Sequence, residues 1–324
     1  VMKEKLETMY QVRLENYLKL ILISKNILNS LSPNCILSLN EHGETEKIFH
    51  MLNHKIPNVL LQHSFLRYYE HLYDLQSRYE YELMYGLKSN YFLVWGQTDL
   101  DFYSKFGIPK EKLIITGSPK HEPYFQSAKL VNKSEQRIIL LAISPITNES
   151  GLCDVASFLN YEKLIEKILK FLKPIKNIKI IIKLHPAENF HNLMLNKYLK
   201  VHHPDITIFQ TKFSKNLIES SDVLIHTSPE FYEMSTIMLE GMILMKPVID
   251  IHLNDIGEKI QPSEGGIFRL DFKDDFTKIY KIIIGDDNYL VENIPKQLEK
   301  YLSNTQNASK KVSEFINTVN LHDK

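Results

Sequence analysis

IKIIIKLHPAEN at residues 178–189 and SDVLIHTSPEFYEMSTIMLEGMILMKPVIDI at residues 221–251 decide how the rest of this chain reads. Three runs within them are apolar and of strand length: 178–184, 223–225 and 247–251. After the first the polarity switches to His185-Pro186, and after the second to His226-Thr227-Ser228-Pro229. Apolar strands that empty into polar residues are the pattern of an open α/β sheet, whose ligand site lies beyond the carboxyl ends of its strands.

Working outward, the same alternation covers the carboxyl half. A strand is expected at 138–143, running into Ser144-Pro145, followed by a helix over 161–172 with Leu164, Ile165, Ile168 and Leu172 on one face. Helices at 192–199, 214–219 and 232–241 and a strand at 207–209 fill the gaps between the first three runs, and 266–270 adds an edge strand. The tail from 276 to about 320 reads as helices. The amino half repeats the pattern. Apolar residues at helical spacing over 4–31 predict one or two amphipathic helices, stopped by Ser32-Pro33-Asn34. Strands follow at 35–39, 58–61, 91–95 and 113–116, with helices at 45–55 and 99–106. They end in Glu41-His42-Gly43, Gln62-His63-Ser64, Gly96-Gln97-Thr98 and Gly117-Ser118-Pro119-Lys120. A Tyr-rich stretch over 65–88 reads as a helical or ordered segment, with a ring-stacking flap as the alternative. The polar run 126–137 reads as a linker. The expectation is an α/β chain with a Rossmann-like amino domain at 1–125 and a second at 138–324 that carries the terminal helices.

Bulk properties narrow the function. The 324 residues suit about two domains of ~150 residues. Lys+Arg and Asp+Glu are equal at 39 each, which argues against a nucleic-acid partner. Cys35 and Cys153 stand far apart without metal-ligand spacing, so free thiols and a cytoplasmic setting are expected. No apolar run approaches the ~18 residues of a membrane span, although peripheral association at the inner membrane face is compatible with the sequence.

The residues also carry a resemblance. The run at 221–251 looks like the nucleotide-binding segment of GT-B fold glycosyltransferases, with a hydroxyl pair at Thr227-Ser228 and an acid, Glu240, seven residues before Pro247. KLHPAEN resembles the His-Pro motif of bacterial sialyltransferases, Kdo-type capsule transferases and glycerol-phosphate polymerases. NVLLQHS at 58–64 resembles their LQHG segment with Ser64 in place of Gly, and GIPKEKLIITGSPKHEPYF at 107–125 is similar to the segment before the linker. The resemblance spans roughly 35–251. It departs at the amino terminus, where a helix stands in place of the usual first strand and glycine-rich turn, so either the amino domain is abbreviated or upstream sequence is absent.

The resemblance implies two domains facing a cleft, with the nucleotide in the carboxyl one. Ser144, Thr227, Ser228 and Glu240 would hold it and His185 would assist the leaving phosphate, against plain helix capping for the hydroxyl pair and a loop hydrogen bond for His185. Glu41 would take the proton of an acceptor hydroxyl, with His42 or Glu44 as alternatives. His42 stands where the family carries a second acid. His63, Gly117, Ser118 and Lys120 would line the facing edge or serve the fold. No DxD pair closes a strand, which predicts metal-independent chemistry without a resident cofactor, and no GxGxxG or P-loop motif is present. The function expected is transfer of a sugar or glycerol phosphate from a nucleotide-activated donor, CMP- or CDP-linked, to a surface-glycan or lipid-linked acceptor. The alternatives are a UDP-N-acetylglucosamine 2-epimerase, which normally carries a His-Arg-Arg-Glu-Asn-like loop where this chain reads SPITNES at 144–150, and a non-catalytic module of the same fold.

Overall fold

The computed structural model describes residues 2–41, 43–53, 55–64, 88–105, 107–127, 136–145, 155–187, 190–229, 235–253 and 265–322. His42, most of the Tyr-rich stretch, the loop after Pro145 and Tyr232 lie outside the described residues. The chain forms two compact units, residues 1–122 with 301–324, and residues 123–300.

Unit 1 opens with one helix, α1 (Met2–Leu31), of which only Ser24 is buried. It leans on α2 (Glu44–Leu52) through Glu44, whose Oε1 accepts from Tyr17 at 2.7 Å and Arg13 at 3.0 Å. Strands β1 (Ile36–Ser38), β2 (Asn58–Leu61), β3 (Tyr91–Val94) and β4 (Leu113–Ile115) pair in sequence order, all parallel. A parallel sheet needs cover on both faces. Leu60, Phe92 and Val94 face Phe102 and Tyr103 of α3 (Gln97–Lys105). Val59 and Leu93 point the other way and are covered by Val312, while Phe315 meets Tyr91 edge-on at 5.1 Å. Both residues belong to the last helix, which therefore packs with unit 1, whereas the sequence pattern places 138–324 entirely in the second domain. The physical reason is the open apolar face of β2 and β3. Cys35 is a free thiol, pushed up by burial. No helix among the described residues is long and apolar enough to cross a membrane.

Unit 2 begins with α4 (Glu122–Ser127), which takes up the start of the expected linker, and β5 (Arg137–Ile143). Then come α5 (Val155–Leu172), β6 (Ile178–Leu184), α6 (Phe190–His202), β7 (Thr207–Phe209), α7 (Ser214–Glu219) and β8 (Val223–Ser228). The unit continues with α8 (Thr236–Ile243), β9 (Val248–His252), β10 (Ile267–Asp271), α9 (Tyr280–Ile284) and α10 (Tyr289–Tyr301), and α11 (Ala308–His322) is the returning helix. Six parallel strands run in the order β10-β9-β8-β5-β6-β7. Leu164, Ile165, Ile168 and Leu172 of α5 bury against Ile139, Leu141, Ile143, Val223 and Ile225 in one cluster, as their 3.6-residue and 2-residue spacings require. The opposite face receives α8, close enough that a Cβ on Gly241 would lie 2.6 Å from Leu224.

Candidate functional site

β5 stands mid-sheet as the first strand of unit 2. The chain leaves it toward β6 and β7, then returns to add β8, β9 and β10 on the other flank. That reversal makes the carboxyl ends of β5 and β8 a topological switch point, where connections diverge and leave a crevice. The His185 N–H donates to the Ile143 carbonyl at 3.2 Å and the Ser144 N–H to the Thr227 carbonyl at 2.9 Å. His185, Ser144 and Thr227-Ser228 are thus neighbours along one sheet edge.

Beneath that edge lies a set of groups whose association the sequence does not show. Strand register aligns Arg269, Asp250, His226, Ala142 and Lys183 in one row across β10, β9, β8, β5 and β6. Asp250 is fully buried; its Oδ1 accepts from His226 Nδ1 at 2.7 Å and its Oδ2 from His252 Nε2 at 2.8 Å and Arg269 Nη1 at 2.7 Å. Burial alone would raise this carboxyl, but the charge and hydrogen bonds of His252 and His226 outweigh it and hold the group well below the usual carboxylate range. A neutral imidazole that gives its ring hydrogen to Asp250 accepts at its outer nitrogen. His226 Nε2 takes the Ser144 Oγ–H at 2.9 Å, and His252 Nδ1 takes the Ser228 Oγ–H at 3.0 Å.

The order Ser144–His226–Asp250 is that of a hydrolytic triad, yet no pair of oxyanion donors stands beside Ser144 among the described residues. Pro145 carries no N–H, and the Ser144 N–H is bonded to Thr227. The relay therefore holds the Ser144 hydroxyl rather than arming it. Tyr161, also unnamed by the sequence, donates to the carbonyls of Ser144 and Thr227 at 3.0 and 2.8 Å and locks the two strand ends together. The readable signal was alternation: His226 and Ser228, then Asp250 and His252, sit at period 2 in otherwise apolar strands.

His185 is exposed at the end of β6. Its Nδ1 accepts the Ala187 N–H at 3.1 Å, which leaves the ring hydrogen on Nε2. Packed protein on one side, followed by the charge of Lys183, lowers its pKa, so the neutral ring dominates near pH 7. Lys183 is buried; its Nζ donates at 2.7 Å each to the carbonyls of Leu184 and Gln210 and is pulled down by burial, with Glu240 opposing. Glu240 is itself buried and accepts from Ser214 Oγ at 2.6 Å, beside Tyr124, whose phenol is pushed up by burial and then by the Glu240 charge. The hydroxyls of Thr227 and Ser228 do not reach the edge: Ser228 faces His252, and Thr227 Oγ1 is buried with no partner among the described residues. The helix expected from 232 is described from Thr236, with Ser235 as its cap accepting from Met238 N–H.

In unit 1, Glu41 is 2% exposed; Oε2 accepts the Lys88 N–H at 3.2 Å and Oε1 has no partner among the described residues. His63 and Lys120 are exposed at the carboxyl edge. Gly117 and Ser118 have structural occupations. Gly117 has φ +83° and a Cβ there would run into the Ser303 carbonyl, while Ser118 Oγ bonds His121 Nδ1 at 2.7 Å. Burial and then Lys120 bring His121 down to about 3. Gln62 of the LQHS segment is a clamp: its Oε1 accepts from Trp95 N–H at 2.9 Å, its Nε2 donates to Asp99 at 3.0 Å, and its carbonyl accepts from Trp95 Nε1 at 3.0 Å.

No protein-family model matches this chain, and no curated protein does. Solved structures do. UDP-GlcNAc 2-epimerase from Neisseria meningitidis, bound to UDP-GlcNAc, is similar over 93% of this chain and 81% of its own, with a TM-score of 0.64 and 16% identity. A glycosyltransferase from Rickettsia africae is similar over 94% and 81%, with a TM-score of 0.55 and 13% identity. HepE from Anabaena, in complex with UDP and glucose, is similar over 92% and 81%, with a TM-score of 0.55 and 10% identity. At these identities the likeness is one of fold, and the fold is the two-unit, Rossmann-like GT-B type.

Proposed function

We propose that the protein transfers a glycosyl group from a nucleotide-activated donor held by unit 2. The observation that supports this best is the meeting of His185, Ser144 and Thr227-Ser228 at the switch point between β5 and β8. In this reading His185 Nε2–H donates to a phosphate oxygen, and the neighbouring Lys183 supplies positive potential without leaving the sheet. The neutral His185 steadies the developing negative charge through that Nε2–H hydrogen bond, without a net proton transfer. Ser144, with its hydroxyl held by His226, accepts from a ligand hydroxyl. Glu240 takes ribose hydroxyls in place of Ser214. Thr227 and Ser228 act through their backbone, their hydroxyls being turned inward. Glu41 serves as acceptor base through Oε1, and turnover retained in Glu41→Gln removes it from that role. The chemistry is metal-independent, so transfer persists in EDTA.

The nucleotide base is read by thermal shift with CMP, CDP, UDP and GDP. A ligand at a hundredfold excess over its Kd stabilises by about 2.7 kcal/mol, a shift of several degrees. His185→Ala keeps the melting temperature of the free protein and loses transfer; unchanged turnover sinks the assignment. A second reading, 2-epimerisation of a UDP-sugar, is favoured by the likeness to the N. meningitidis enzyme. Incubation of UDP-GlcNAc in D2O separates the two. Deuterium appears at C2 if the enzyme is an epimerase, whereas a transferase leaves C2 protonated and releases nucleotide when acceptor is added.

A further inference from the structure

Unit 1 contains a cavity of about 600 Å3 at the amino ends of β2 and β3, the opposite end of its sheet from His63, Gly117 and Lys120. Volumes of this order accommodate a small molecule several times larger than a bare phosphate. Its walls divide by chemistry. Lys47, His50, Lys55 and Lys88 stand with Asn53, Asn58 and Asn90 on the polar side, and none of the twelve lining residues among the described ones is acidic. In a chain with equal acidic and basic totals, a cation-only wall is a local feature. Lys55 and Lys88 have no ion-pair partner among the described residues, and Glu44, whose carboxyl feels the Lys47 charge, is already held by Arg13 at 3.0 Å. Glu46 turns its carboxylate toward Gly43 and Asn40, and Glu41 accepts the backbone N–H of Lys88. His50 Nδ1 is buried without a hydrogen-bond partner among the described residues.

The frame around these cations is fixed before any ligand arrives. Asn53 Nδ2 donates to Asn58 Oδ1 at 2.9 Å and to the Ile56 carbonyl at 2.7 Å, and Asn90 Oδ1 accepts the Asn58 N–H at 2.8 Å. The facing wall is apolar, with Met51, Ile56 and Val319 beside the ring of Tyr91, which Phe315 holds edge-on. An aromatic wall and a cationic rim suit a ligand with an apolar flank and an anionic substituent.

We propose that this cavity is a second carbohydrate site, which binds a saccharide unit carrying a carboxylate or phosphate, away from the edge where transfer is placed. Such a site retains an acidic glycan without taking part in bond making, and it stands whether or not unit 2 binds a nucleotide. The test is isothermal titration of the full chain with a hyaluronan tetrasaccharide, glucose 6-phosphate, maltotetraose and inorganic phosphate. The carboxylate and phosphate probes separate the two anionic classes. At least one of them binds; its affinity falls at least tenfold in the Lys47→Glu/Lys88→Glu double variant and also weakens in 0.5 M NaCl, and neutral maltotetraose does not bind. Circular dichroism checks that the double variant is folded; if it is not, Lys88→Gln alone shows a smaller loss in the same direction. Absence of binding by both acidic probes, or affinity untouched by the substitutions, overturns the proposal. Inorganic phosphate binding as tightly as glucose 6-phosphate overturns the saccharide assignment, because the Tyr91 wall then contributes nothing.

Discussion

At the scale of single residues, Asp250 governs the edge of unit 2. It orients His226 and His252 and balances Arg269 in a place water does not reach. Removing one partner of such a buried cluster costs about 3–5 kcal/mol, since the remaining charge stays buried. Asp250→Asn is therefore expected to lower unfolding stability by that amount at pH 7, measured by denaturant titration. The pH dependence has a definite sign. The folded carboxyl titrates below its ordinary value, so its contribution is present above that value and is lost as pH falls through the acid range. Wild type should weaken more steeply than Asp250→Asn between pH 5 and pH 3. Of this site, His185, Ser144 and Glu240 were legible because strand ends and a spacing motif mark them. Asp250, Lys183 and Arg269 are hidden inside apolar strands, and only register puts them in one row with His226.

At the scale of elements, β6, β7, β2 and α7 have the bounds their sequence patterns predict, because hydrophobic runs ended by polar residues leave no choice. β8 runs three residues further than its apolar core. His226, Thr227 and Ser228 look like a loop in sequence, but Asp250, Tyr161 and His252 satisfy them within the sheet. Gly117 shows the reverse case, a turn glycine whose true constraint is a distant element. Its φ of +83° and the Ser303 carbonyl against it leave no room for a side chain. Gly117→Ala should destabilise unit 1 by at least about 1–2 kcal/mol from backbone strain alone. Trp95, the only tryptophan, is buried beside His121 and accepts the Ser303 N–H at 2.9 Å, so its fluorescence reports the loss. An unchanged unfolding midpoint would mean the tail gives way to the new methyl.

At the scale of the whole molecule, unit 1 is discontinuous, closed by residues 301–324. Deleting that tail should expose Val59 and Leu93 and speed hydrogen exchange across β2 and β3, while β5, β6, β8 and β9 exchange as before. Acceleration in unit 2 alone would reverse the assignment of α11. By itself the sequence determined the α/β class, two parallel sheets and the polar strand ends of unit 2, since periodicity and punctuation are local and every residue carries them. The tertiary structure alone decided which unit owns the last helix and which groups share the Asp250 relay, and it alone formed the cationic cavity under α2. Each of those joins residues tens to hundreds of positions apart. Their meeting depends on strand order and on which apolar face still lacks cover, which no window of sequence contains.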